Sequence, residues 1–134
     1  MPWAFHGPNV ASGNEATVGG GDSNVASGDD ATVPGGYSNT AQGSSSFAAG
    51  YSAKALHDGA FVWSDAPTSY FDPDVSSTAP NQFLVRAKGG VTFYTSATLS
   101  TGVTVAATSR LPFITRALSF GHGGITHLPV VKLS

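Results

Sequence analysis

The candidate residues for acid–base or metal chemistry in this chain fall at two places. His57 stands beside Asp58, while His122 and His127 flank a short segment that contains two glycines. An imidazole next to a carboxylate is a pairing that general-base catalysis uses, and imidazoles gathered from several chains can hold a divalent metal ion. These four residues are the candidate catalytic residues of the sequence.

A surface or packing role competes with chemistry for each of these histidines. Gly123 and Gly124 disfavour the helix that would bring His122 and His127 onto one face. The sequence also lacks the Gly-x-Ser-x-Gly elbow of serine hydrolases, and its glycine runs lack the lysine of a phosphate loop. We therefore expect no metal site formed by one chain and no cofactor.

The composition narrows the class of protein further. Only 10% of the 134 residues are charged, against about 25% in ordinary soluble domains. The net charge of −2 disfavours a nucleic-acid partner, and the absence of cysteine excludes disulfides. No apolar run is long enough for a membrane span, and the first residues do not resemble an export signal. So neutral a surface favours a homo-oligomer; a poorly soluble monomer or a fragment is the alternative.

A repeat supplies the elements that would position these residues. Asn9-Val10-Ala11-Ser12-Gly13 returns at residues 24–28 and 39–43 in steps of 15, and a degenerate copy follows at 53–57 after 14. A second short run, Ala16-Thr17-Val18 in the first unit, recurs with the same period. The repeated structural positions are Val10, Val25 and Thr40, then Ala11, Ala26 and Ala41, then Gly13, Gly28 and Gly43. A fixed short period of this kind indicates a solenoid.

Each unit reads as two short β-strands and two corners, which together make one turn of a coil. Successive turns would stack strand on strand at about 4.8 Å. The alanines and the valine positions are expected to fill a narrow interior, and the corner glycines to supply positive φ angles. Because such a core buries little apolar area, we expect neighbouring chains to complete it.

The repeat resembles the head repeats of trimeric autotransporter adhesins, over about residues 7–65. That resemblance implies a left-handed parallel β-roll of about four 14–15-residue turns, with three rolls around a threefold axis. It also implies a role in attachment at the cell surface or outside the cell, with a surface protein or a glycan as the ligand.

The rest of the chain is divided by composition. Residues 1–65 form the predicted roll, 66–80 a proline-rich loop or linker, 81–110 a β-hairpin or neck-like segment, and 111–134 a C-terminal arm or tail. Gly89-Gly90 separates two alternating runs, 82–87 and 91–94, and predicts a hairpin between them. The last segment is either an arm swapped onto a neighbouring chain or a tail.

Two functions follow from these expectations. The first is a structural and adhesive head-like module of a trimeric surface or fibre protein, all-β and homotrimeric, without catalysis. The second is a small hydrolase of esterase or phosphoesterase type, with His57, Asp58, His122 and His127 meeting between subunits of the trimer.

Overall fold

A computed structural model of the chain describes residues 7–69 and 72–105, together with the strand Ser119–Phe120. These residues form strands, turns and bends, and the all-β prediction is confirmed for them. None of the described residues forms a helix long and apolar enough to cross a membrane. The chain divides into two compact units, Met1–Ala87 and Lys88–Ser134.

The first unit is a parallel β-solenoid of about four turns, as the repeat predicts, and it is built from two sheets. Sheet A contains β1 (Val10–Ala11), β3 (Val25–Ala26), β6 (Thr40–Ala41), β8 (Ala53–Ala55) and β10 (Val75–Ser76). Sheet B contains β2 (Thr17–Val18), β4 (Thr32–Val33), β7 (Phe47–Tyr51), β9 (Phe61–Ser64) and β11 (Phe83–Arg86). The short strand β5 (Gly36–Tyr37) pairs with β7 beside this path.

The strand register follows the repeat and then departs from it. Val10, Val25, Thr40 and Lys54 are successive partners in sheet A, so the degenerate fourth copy is a true turn. The last turn of the solenoid, which contains β10 and β11 and is called the final pass below, is longer. Lys54 pairs with Ser76, a step of 22 residues instead of 14 or 15. Strand β10 therefore lies inside the segment that the sequence assigned to a linker.

The core of the solenoid consists of small side chains. The buried hydrophobic residues are Ala26, Ala31, Val33, Ala41, Ala48, Ala49, Ala53, Ala55, Ala60 and Val62. Since adjacent strand residues point to opposite faces, an inward Ala26 places Val25 outward, where it is half-buried. This corrects the expectation that Val10, Val25 and Thr40 fill the interior; Val10 is 39% exposed.

A ladder of asparagines provides the polar part of the core. Asn24 and Asn39 are fully buried, and the Asn39 side-chain amide donates to Asn24 Oδ1 at 3.0 Å and to the carbonyl oxygens of Gly35 and Gly50 at 3.1 and 2.9 Å. Its Oδ1 accepts the amide of Ala53 at 2.9 Å. Each buried amide is thereby satisfied, and the ladder ties one turn to the next.

The expected positive φ is found at Gly21 and Gly36, with φ of 84° and 108°, but not at the other set of corners, where Gly13, Gly28 and Gly43 act through close approach. A Cβ added to Gly28 would lie 2.2 Å from the carbonyl oxygen of Gly43 in the next turn. The left-handed backbone falls two residues later, at Glu15, Asp30 and Ser45, with φ of 53–56°. Stacking of the turns, rather than the shape of the corner, therefore requires glycine at this position.

The strand pairing after residue 80 differs from the predicted hairpin. Residues 83–86 pair in parallel with β9, and Phe83 aligns with Phe61. This pairing packs Leu84 against the solenoid core. A two-stranded hairpin would not bury this side chain. The second unit contains its own antiparallel sheet in the order β12 (Val91–Tyr94), β13 (Gly102–Val105), β14 (Ser119–Phe120).

Candidate functional site

The first candidate site surrounds His57, in the corner that follows β8. Its backbone stacks on Gly43, so it occupies the corner position at which the three earlier turns have glycine. The imidazole is half-buried, and its Nδ1 lies 2.8 Å from the hydroxyl oxygen of Ser77. A side chain fits here because the longer final pass takes a different route from the regular turns.

Ser77 was not among the residues that the sequence singled out. It is 4% exposed, and its amide donates to the carbonyl oxygen of Lys54 at 2.9 Å. Its hydroxyl oxygen also accepts the amide of Leu56 at 2.9 Å. The pairing with His57 spans 20 residues and depends on the irregular pass, so no local sequence signal could have disclosed it.

Asp58 serves the solenoid corner and does not orient His57. Its Oδ1 accepts the amide of Ser44 at 2.9 Å, as Asp29 Oδ1 accepts the amide of Asn14 at 3.0 Å two turns earlier. The carboxylate therefore satisfies a backbone donor of the preceding turn. It makes no hydrogen bond with the imidazole.

A complete catalytic arrangement is not assembled in the described part of the chain. His57 and Ser77 form a base–hydroxyl pair without the carboxylate that would orient the base. The described residues also contain no group of three His, Cys, Asp or Glu side chains that could hold a metal ion. His122 and His127 lie outside the described residues.

The second candidate site is an aromatic ladder on the outer side of sheet B. Phe47 and Phe61 are stacked with ring centroids 4.6 Å apart and planes 4° from parallel. Phe61 and Phe83 continue the stack at 4.7 Å and 16°. The ring spacing equals the spacing of neighbouring strands, because the three residues are direct partners in the sheet.

The neighbouring outward column of sheet B enlarges this apolar surface. Trp63 lies two residues after Phe61, Val85 lies two residues after Phe83, and the two are direct partners. Trp63 is 36% exposed, and Phe83 is 65% exposed. We call the surface formed by Phe47, Phe61, Trp63, Phe83 and Val85 the aromatic face.

Arg86 fixes the last strand that carries this face. Its Nε donates to Asp65 Oδ1 at 2.9 Å, and its Nη2 donates to Ser64 Oγ at 2.7 Å and to the carbonyl oxygen of Asp65 at 3.2 Å. Its Nη1 donates to the carbonyl oxygen of Pro73. The guanidinium thus joins β11, the end of β9 and the loop between them.

No family model, curated protein or solved structure matches the chain.

Proposed function

We propose that this chain is a structural and adhesive module that acts without catalysis. In this proposal the solenoid is a left-handed β-roll, three copies assemble through the aromatic face, and the trimer attaches to a surface protein or a glycan. The observation that carries the proposal is the aromatic face, a continuous apolar surface on a regular parallel scaffold.

The chemistry of the aromatic face favours another copy of the same chain as its occupant. All five of its side chains are uncharged, so a charged partner surface would lose its hydration there without gaining an ion pair. The same face on a neighbouring copy is uncharged and carries the same stacked rings. In a cyclic trimer each copy would turn this face towards the common axis, and one edge of the face would pack against the other edge of the face on the neighbouring copy.

The small core supports self-assembly as well. The fully buried hydrophobic side chains are all alanine or valine among the described residues, while the aromatic side chains of Phe47, Phe61, Trp63 and Phe83 point outward. Apolar burial contributes about 25 cal/mol per Å², so covering the exposed parts of Phe83 and Trp63 would add stabilisation that the small interior does not supply. Assembly through the aromatic face would recover it.

The number of copies, the handedness and the attachment role are supported by the resemblance of the repeat to adhesin heads. That resemblance covers Asn-Val-Ala-Ser-Gly and the following Ala-Thr-Val of the regular units. The hydrolase alternative has less support, since Ser77 is buried and its hydroxyl already accepts a backbone amide.

Sedimentation equilibrium at micromolar concentration tests the assembly. The expected mass is three times the 13.5 kDa of one chain. Phe61→Ser should lower it towards one chain, because this substitution removes the central ring of the stack. Val10→Ser is the matched control: it removes an exposed apolar side chain from the outer side of sheet A and should leave the mass unchanged. A monomeric wild-type chain would refute the proposed trimer.

Binding of the wild-type protein and of Phe61→Ser to a glycan array and to intact cells tests the attachment role. The trimer should bind more tightly than the variant because linked sites raise the effective concentration. Absence of binding by the wild-type trimer would reject the adhesive role and leave the assembly intact.

A further inference from the structure

The hydrogen bond between His57 and Ser77 joins the final pass of the solenoid to the turn before it. Strand β10 ends at Ser76, so Ser77 follows it directly, while His57 lies in the corner after β8. Their side chains meet at 2.8 Å, and Ser77 is almost completely buried. We propose that this pair is a proton-sensitive latch that holds residues 75–86 on the solenoid.

The hydrogen bonds at Ser77 identify the protonation state of His57 that satisfies every group of the latch. A serine hydroxyl has one hydrogen to donate and can accept two. The Leu56 amide already occupies one acceptor position. Among the described residues, His57 Nδ1 is the acceptor within reach of the hydroxyl hydrogen. All three groups are satisfied when the imidazole is neutral with its hydrogen on Nε2, and the tautomer is assigned from this network.

Protonation of His57 removes that acceptor. Both ring nitrogens then carry hydrogen, so Nδ1 can only donate, and the Ser77 hydroxyl must accept twice. Its own hydrogen is left without a partner in a buried site, which destabilises the closed pass. Acid therefore weakens the latch, and the closed pass is favoured at higher pH.

Three charged groups lie on the elements around the latch. Asp58 is next to His57, but its Oδ1 is held by the amide of Ser44. Lys54 is on β8, where its Nζ donates to the carbonyl oxygen of Ser38 at 2.6 Å and to Thr40 Oγ1 at 3.3 Å. Asp74 directly precedes β10. None of the three forms a hydrogen bond with the imidazole or with Ser77.

The consequence for assembly follows from the position of the pass. Residues 75–86 include Phe83 and Val85, two members of the aromatic face. Opening the latch would remove Phe83 from the ladder and so weaken contacts between copies in acid. This consequence rests on the proposed trimer, whereas the latch itself belongs to a single chain.

Hydrogen exchange read by mass spectrometry at pH 8 and at pH 5 tests the latch. The readout is the protection of residues 75–86 relative to residues 32–48 of the same molecule, after correction for intrinsic exchange. In the wild type we expect opening of the final pass to increase about tenfold at pH 5, the size expected for one lost buried hydrogen bond.

His57→Asn is the discriminating variant, because its side-chain oxygen can accept the Ser77 hydroxyl but does not titrate. Its final pass should stay equally protected at both pH values. In Ser77→Ala the final pass should be poorly protected at both pH values. The same increase in acid in wild type and His57→Asn, or no increase in the wild type, would overturn the latch. Repeating the comparison with Phe61→Ser in the background separates opening of the pass from dissociation of the trimer.

Discussion

The first two turns of the solenoid and the later ones share a backbone register but differ on the outside. In the outward column of sheet B the early turns carry Thr17 and Thr32, whereas the later turns carry Phe47, Phe61 and Phe83 at the same register position. The inward positions change less: the early turns carry alanine and valine, and the later turns carry alanine, valine, leucine and Ser46. Inward columns therefore determine the fold, and outward columns are free to specialise.

This comparison also places the candidate contact surface. The early turns present hydroxyl groups, glycine and proline on sheet B, while the later turns present stacked rings. A parallel sheet repeats each outward choice at the spacing of its strands, so three phenylalanines in register become one surface. The aromatic face therefore forms only when several successive turns place aromatic residues at the same outward position.

The largest effect should come from the inward ladder that both regions need. Asn39→Asp replaces an amide that donates to three oxygens with a carboxylate that faces them. We expect a loss of about 3–5 kcal/mol in the free energy of unfolding, measured by urea denaturation, because an unpaired charge is buried. Gln42→Glu makes the same amide-to-carboxylate change at an exposed position and should stay within about 0.5 kcal/mol. Equal losses would show that the ladder does not hold the turns together.

A smaller effect is expected where the turns stack through their corners. Gly28→Ala places a methyl group 2.2 Å from the carbonyl oxygen of Gly43, so the two turns must separate. We expect a loss of about 1–3 kcal/mol, visible as a lower melting temperature. Gly89→Ala meets nothing within 4 Å and is the matched control. A stable Gly28→Ala variant would mean that the corners tolerate wider spacing than the register implies.

The sequence predicts the early turns well because the corner of each one packs against the backbone of the next turn in the same way. A glycine is required wherever another regular turn stacks on the corner. The regular spacing of Gly13, Gly28 and Gly43 therefore predicts the stacked turns. His57 stands at the corner next to the final pass, which follows a different path from the regular turns. The sequence of that pass does not match the repeat. The 22-residue step and the pairing of β11 with β9 were therefore not predictable from periodicity.

The candidate site was less accessible to prediction for the same reason. His57 and Asp58 were identified by residue type, yet Asp58 bonds a backbone amide in the preceding turn and Ser77 comes from the irregular pass. The phenylalanines were visible as strand residues. The stacking of their rings could not be predicted, because it depends on the 22-residue step that pairs Phe83 with Phe61 and that the repeat does not contain.

The most direct test of the account gives the later turns the outward residues of the early ones. The double variant Phe47→Thr, Phe61→Thr copies the threonines of the first two turns and leaves every inward column unchanged. Its circular dichroism spectrum should remain that of a β-solenoid, while its mass by sedimentation equilibrium falls from three chains to one. A double variant that keeps the mass of three chains would contradict the proposal that the aromatic face assembles the protein.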